Sequence, residues 1–219
     1  MPQAFVNMPD RIAHLPRDHR GFPVPKFVAW IDGAPDFRCI EPAYLVDAVK
    51  HNRCWLCGGQ LGRHLVFVIG PMCAVNRINS EPPCHYDCAK FAATNCPFLI
   101  RPKMRRNEAD LPEVHVKAAG EPLKRNPGCC CLWITDSYKP FKPDRGNGGW
   151  LFHLGKPSRL EFYAEGRAAT REEVVESVRT GLPLLQDERD GPDGARALQR
   201  AVDTFTKLLN DTLPEGAPA

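Results

Sequence analysis

Two short segments hold the residues best suited to chemistry. Cys54 and Cys57 flank Trp55 and Leu56 and run directly into Gly58 and Gly59; Cys84, His85 and Cys88 follow Pro82 and Pro83. Thiolates and imidazoles are soft donors, and four of them around one ion make a tetrahedral zinc site. A Cys-x-x-Cys step before glycine lets both sulfurs face one side of a tight knuckle. The second pair must come from an element that folds back on the first. His85 and Cys88 lie three apart, as do neighbours on one helix face. The expected ligands are therefore Cys54, Cys57, His85 and Cys88, with Cys84 as the alternative to His85. Four protein ligands close the coordination sphere, so the expected Zn2+ is structural, since a catalytic zinc keeps a position for water.

Other chemistry is poorly represented. A thioredoxin-like role for Cys54 and Cys57 needs a helix at once after the motif, and Gly58-Gly59 opposes one. The chain has no Gly-x-Ser-x-Gly elbow, no phosphate loop and no deaminase signature. An HNH-type nuclease would draw on His64, Asn76, Asn79 and Asp87, but the paired His or Asp-His on its hairpin is missing. A basic run, Arg101, Lys103, Arg105 and Arg106, is the binding lead, with Arg77 and Lys90 as possible additions. Cys39, Cys73, Cys96 and Cys129, Cys130 and Cys131 read as core thiols. The alternative is a second ion shared by Cys73, Cys96 and one of the triplet. Trp30, Trp133, Trp150, Phe152, Phe162 and Tyr163 fall on expected strands and read as core.

The elements that would position these groups follow from the pattern. Lys26 to Ile31 and Asp36 to Ile40 form a hairpin around Asp32-Gly33. A helix begins at Glu41-Pro42 and delivers the chain to Cys54. Leu65 to Ile69 is a short buried strand stopped by Gly70-Pro71, and a helix runs from Cys84 to Cys96, ended by Pro97. Cys129 to Thr135, Trp150 to Leu154 and Arg159 to Tyr163 are strands, and Tyr138 to Phe141 extends the first. Thr170 and Glu173 form a capping box for a helix that Gly181 and Pro183 stop, and a last helix spans Pro192 to Asn210.

The chain has 219 residues, of which 43% are hydrophobic and 22 are proline, so it can bury a core built from short elements. The net charge of +3 is too small to indicate a nucleic-acid partner. It is uneven: residues 1–128 carry 17 Lys and Arg against 12 Asp and Glu, and residues 129–219 carry 12 against 14. No segment approaches the length of a membrane span. Ten cysteines without a visible secretory signal imply a reducing, cytoplasmic compartment.

The knuckle, hairpin and helix resemble a treble-clef zinc finger over residues 52–98. Further motifs are Gly70-Pro71-Met72-Cys73, Glu81-Pro82-Pro83, Cys96-Pro97-Phe98, Met104-Arg105-Arg106 and Gly128 through Trp133. Over roughly residues 8–210 they resemble a family of bacterial and phage zinc-knuckle proteins that has no established activity. That resemblance transfers no catalytic residue; it implies a bacterial or phage origin and one integrated unit. The expected architecture is α+β: a zinc module packed with a small antiparallel sheet, made by N- and C-terminal strands, and with C-terminal helices. Residues 1–25 would be an extended arm, 26–210 one domain and 211–219 a disordered tail. The expected function is non-enzymatic binding of a protein or nucleic acid near the zinc module, with a metal-dependent HNH-like nuclease as the alternative.

Overall fold

The computed structural model describes residues 5, 7–102, 104, 105, 107, 109–111, 126–143, 149–185 and 191–215. At its centre lies the antiparallel sheet β3-β5-β8-β9, formed by β3 (Leu65–Ile69), β5 (Cys130–Thr135), β8 (Arg159–Ala164) and β9 (Arg167–Ala168). Phe67 pairs with Trp133, and Trp133 with Leu160. Every residue of β5 is buried, so both faces of this strand must be covered, which explains its uninterrupted apolar run.

Strand alternation decides what each face meets. The face carrying Phe67, Trp133 and Phe162 packs on β6 (Tyr138–Phe141) through the Phe67–Tyr138 ring pair at 5.5 Å. It packs on α7 (Gly191–Thr212) through Phe162 and Phe205 at 6.3 Å. The opposite face carries Val66, Leu132 and Glu161. It meets α4 (Tyr86–Asn95), where the Tyr86 hydroxyl donates to Glu161 at 3.0 Å. Truncating a wholly buried ring such as Phe67 would cost about 3–5 kcal/mol.

A second sheet, β4-β7-β6, contains β4 (Ile78–Asn79) and β7 (Leu151–Leu154). Strand β6 thus begins a sheet of its own instead of prolonging β5, because the chain bends at Asp136 between them. The N-terminal hairpin, β1 (Val28–Ile31) with β2 (Ala34–Ile40), is a third, two-stranded sheet. It does not join the central sheet as the sequence led us to expect; β3 of the cysteine-rich segment takes that place. With one side of the hairpin uncovered, Trp30 is 50% exposed, which corrects its reading as core.

Proline explains two helices that the sequence pattern concealed. Pro71 opens α3 (Pro71–Asn76) and Pro97 opens α5 (Pro97–Ile100). Both prolines read as stops, yet the first helical position has no use for an N–H, so the same residue starts a helix. The arm contains a short helix, α1 (Asp10–Ala13), and the Arg17–Pro23 bridge, so it is not extended throughout. Helix α2 (Pro42–Lys50) is capped by Glu41, and α6 (Arg171–Gly181) has the expected Thr170–Glu173 box. Helix α7 continues to Thr212, and Arg171 donates to the carbonyl of Leu213. The sequence also reads as a turn at Gly146-Asn147-Gly148-Gly149 and as a linker or long loop over 107–128, and most of both stretches lies outside the described residues.

Candidate metal centre

The knuckle is a closed turn. The Cys54 N–H donates to the Gly59 carbonyl at 2.8 Å, and the Gly58 N–H returns to the Cys54 carbonyl at 2.9 Å. Gly58 has φ +78°, a conformation that side chains disfavour, so glycine is required there. The knuckle is seated by Trp55, which is buried and stacked on Phe27 at 4.9 Å and on Tyr44 at 5.7 Å. These two rings come from the N-terminal hairpin segment and α2, which is how the first fifty residues serve the site.

The second half of the site is brought up by the central sheet. Cys84 and Val66 exchange both backbone hydrogen bonds, at 2.7 and 3.0 Å. The Trp55 N–H adds a bond to the Pro83 carbonyl at 3.0 Å. The chain then enters α4 with His85 at its N-cap and Cys88 in its first turn. Cys54, Cys57, His85 and Cys88 consequently converge, with one ligand atom from each within 4.8 Å of the others. His85 Nδ1 lies 3.4 Å from Cys57 Sγ and 3.9 Å from Cys88 Sγ. This compact group of three thiols and an imidazole can hold a metal ion.

Neighbouring polar groups orient the donors. His85 Nε2 donates to the Gln60 carbonyl at 2.9 Å, which turns Nδ1 toward the sulfurs. The Gly59 N–H points at Cys57 Sγ and the His85 N–H at Cys54 Sγ, each at 3.4 Å. Cys54 is pulled strongly toward the thiolate because Cys57, Cys84 and Cys88 all donate to it. The His85 imidazole is raised, chiefly by the hydrogen bond to Cys54. Cys88 is pushed up because the Cys54 and Cys57 sulfurs keep its proton. Cys54 and Cys88 are wholly buried, whereas Cys57 and His85 are half-buried.

Cys84 lies outside this group of four, and its buried thiol hydrogen-bonds to Cys54. Among the described residues no other group of three or more Cys, His, Asp or Glu comes together at ligand spacing. A second ion at Cys73, Cys96 and the triplet therefore finds no support there. Burial pushes the Cys73 thiol up to about 11 and the Cys129 and Cys130 thiols up to about 12, so all stay protonated at neutral pH.

The nuclease candidates are engaged elsewhere. Asn76 Oδ1 accepts from the Ile78 N–H at 2.9 Å, and the Asn79 amide donates to the Glu81 carbonyl at 2.8 Å. Asp87 pairs with Arg11 at 3.2 Å and caps the Cys88 N–H, while His64 is exposed before β3. Of the basic run, Arg101 and Arg105 are exposed, and Lys103 and Arg106 lie outside the described residues. Arg77 is not part of that surface: it donates to the Leu154 carbonyl and lies over the Trp133 ring. The residue that shapes the basic turn is Asn126, which sequence reading passed over. Its buried amide donates to the carbonyls of Phe98, Leu99 and Arg101, and its Oδ1 accepts from the Gly128 N–H at 2.7 Å. Only the Asn-Pro-Gly turn signal at 126–128 hinted at it.

No protein-family model, curated protein or solved structure matches the chain. No helix among the described residues is long and apolar enough to cross a membrane.

Proposed function

We propose that Cys54, Cys57, His85 and Cys88 hold one zinc ion as a structural clasp and that the protein is a non-enzymatic, cytoplasmic binding protein. The convergence of these four donors carries the reading. Zn–S bonds of about 2.3 Å and Zn–N bonds of about 2.0–2.1 Å give tetrahedral edges of about 3.8 Å between sulfurs and about 3.6 Å between sulfur and nitrogen. The observed sulfur–nitrogen separations of 3.4 and 3.9 Å bracket that edge. Thiolate-rich donor sets select zinc over hard cations. Four protein donors leave no position for a reacting water, which favours a structural over a catalytic role.

The order of knuckle, strand, Cys84 bridge and helix also supports a treble-clef-like module, one in which α3 is inserted between the two halves of the hairpin. The partner, a protein or a nucleic acid, is engaged through the surface near this module, including the turn at Arg101 and Arg105. Elemental analysis tests the clasp: protein purified without chelators should contain one zinc per chain, and zinc-free folded protein would refute it. Retention on immobilised DNA or RNA, lost in an Arg101→Glu/Arg105→Glu variant, would identify that turn as a nucleic-acid surface. Plasmid nicking with Mg2+ or Mn2+ that disappears in His64→Ala would overturn the non-enzymatic reading.

A further inference from the structure

The sulfurs of the metal centre are not equally sheltered. Cys54, Cys88 and the neighbouring Cys84 are buried, whereas Cys57 is half-buried. A side chain that could cover Cys57 is missing. Gly59 is not held in the left-handed region that favours glycine, yet a Cβ there would stand 3.5 Å from Cys57 Sγ and 3.4 Å from the His85 ring. Those are ordinary contact distances, so a methyl group would fit there and shield the sulfur.

Other cysteines are poorer targets for an oxidant. A sulfur that serves a zinc ion is a thiolate, the form that oxidants attack. Burial pushes the thiols of Cys73, Cys96, Cys129, Cys130 and Cys131 above the ordinary value and keeps them protonated. Cys57 thus combines the reactive form with an approach from solvent. A second sulfur lies beside it. The Gly58 N–H bond to the Cys54 carbonyl closes a turn, which brings residues 54 and 57 within about 7 Å at Cα. A disulfide spans a similar distance, and the Cys54 and Cys57 sulfurs lie within 4.8 Å of each other.

Between the two cysteines lies Trp55, and its position carries a cost. The ring is buried, and its indole N–H is the one buried side-chain nitrogen or oxygen among the described residues without a hydrogen-bond partner. A donor kept dry without an acceptor is destabilising. The stack on Phe27 and Tyr44 offsets that cost while the knuckle is fixed on both sides of the ring. Once the knuckle loosens, the indole gains water as an acceptor.

We propose that Cys57 and Cys54 make the metal centre a peroxide-sensitive latch, whose oxidation to a disulfide releases zinc and unseats Trp55. The Cys57 thiolate attacks one oxygen of a peroxide. The O–O bond breaks, the sulfur becomes a sulfenic acid, and the other oxygen takes a proton and leaves as water or an alcohol. The Cys54 thiolate then attacks the Cys57 sulfur, the S–O bond breaks, and the departing hydroxide takes a second proton. Two electrons pass from the sulfurs to the peroxide, and a thiol reductant reverses the change. Two of the four donors are lost, and His85 with Cys88 cannot close a tetrahedron. The latch requires the zinc clasp proposed above.

The test treats the full chain with hydrogen peroxide after its zinc content has been measured. Zinc release is followed with a chromogenic chelator, disulfides by mass-spectrometric mapping, and the knuckle by tryptophan emission. The wild type should release its zinc as a Cys54–Cys57 bridge forms, with a red shift in emission that Trp55→Phe lacks. Dithiothreitol with added zinc should reverse all three changes. Cys57→His keeps a fourth donor without the second thiol and should hold its zinc through the treatment. Gly59→Ala should bind zinc and release it several-fold more slowly, and it serves where Cys57→His fails to load. Zinc-loaded wild type that keeps its metal, or that loses it with the bridge mapped to other cysteines, overturns the latch and leaves the clasp standing. Release from loaded Cys57→His or Gly59→Ala at the wild-type rate does the same. Folded protein that carries no zinc from the start overturns clasp and latch together.

Discussion

The junction of Cys54, Cys57, His85 and Cys88 and the Cys129–Cys131 run that leads into β5 each contain three cysteines, but they are built on opposite geometries. At the junction, a tight knuckle and a helix start aim three sulfurs and a ring nitrogen at one point. Along Cys129, Cys130 and Cys131 the extended backbone sends successive thiols to alternate faces, where they fill the core beside Leu132 and Trp133. Convergence makes sulfur a ligand, and dispersal makes it a small apolar side chain. A count of cysteines does not separate the two; the backbone conformation that carries them does.

The sharpest way to break this comparison is to remove one donor from each region. Cys88→Ser should abolish stoichiometric zinc and cost several kcal/mol, comparable with the whole stability of a domain. Cys131→Ala should keep its zinc and lose only about 1–2 kcal/mol from a small cavity, as read by urea denaturation. Equal losses of zinc in both variants would erase the distinction.

Alkali should act through the dispersed thiols. Burial raises Cys129 and Cys130 to about 12, above the ordinary thiol value of 9.0. The folded protein then keeps protons that the unfolded chain releases. Their contribution is complete below pH 9, and stability declines by about 1.4 kcal/mol per pH unit for each such thiol from there toward about 12. Denaturation midpoints measured across that window should fall less steeply in Cys130→Ala than in the wild type.

Swaps within the junction give smaller effects. His85→Cys should retain one zinc, since four thiolates also close the tetrahedron, whereas His85→Ala should lose most of it. Cys84→Ala should retain the metal, because this thiol supports Cys54 from outside the group of four. Elemental analysis of the three variants separates donor from supporter. Smallest of all, Thr170→Ala should cost about 1 kcal/mol by removing the cap of α6, and leave zinc content unchanged, since α6 supplies none of the four converging donors.

Much of this was legible along the chain. Ligand candidates follow from the Cys-x-x-Cys step before glycine, β5 from its apolar run, and α6 from its capping box, because each depends on residues close in sequence. Helices α3 and α5 were hidden because Pro71 and Pro97 carry one local signal with two meanings. Trp30 was misread since strand propensity does not reveal which face a neighbouring element will cover.

Short-range chemistry, then, is what the sequence by itself determined: which atoms can bind a soft ion, where turns must fall and which segments must be buried. Distance along the chain limits it. The convergence of His85 and Cys88 on Cys54 and Cys57 depends on the backbone bridge between Cys84 and Val66, which joins the segment before α4 to β3. The seating of Trp55 depends likewise on Phe27 and Tyr44, rings from the N-terminal hairpin segment and α2. Those decisions belong to tertiary structure alone, because pairing and packing fix positions that no local preference encodes.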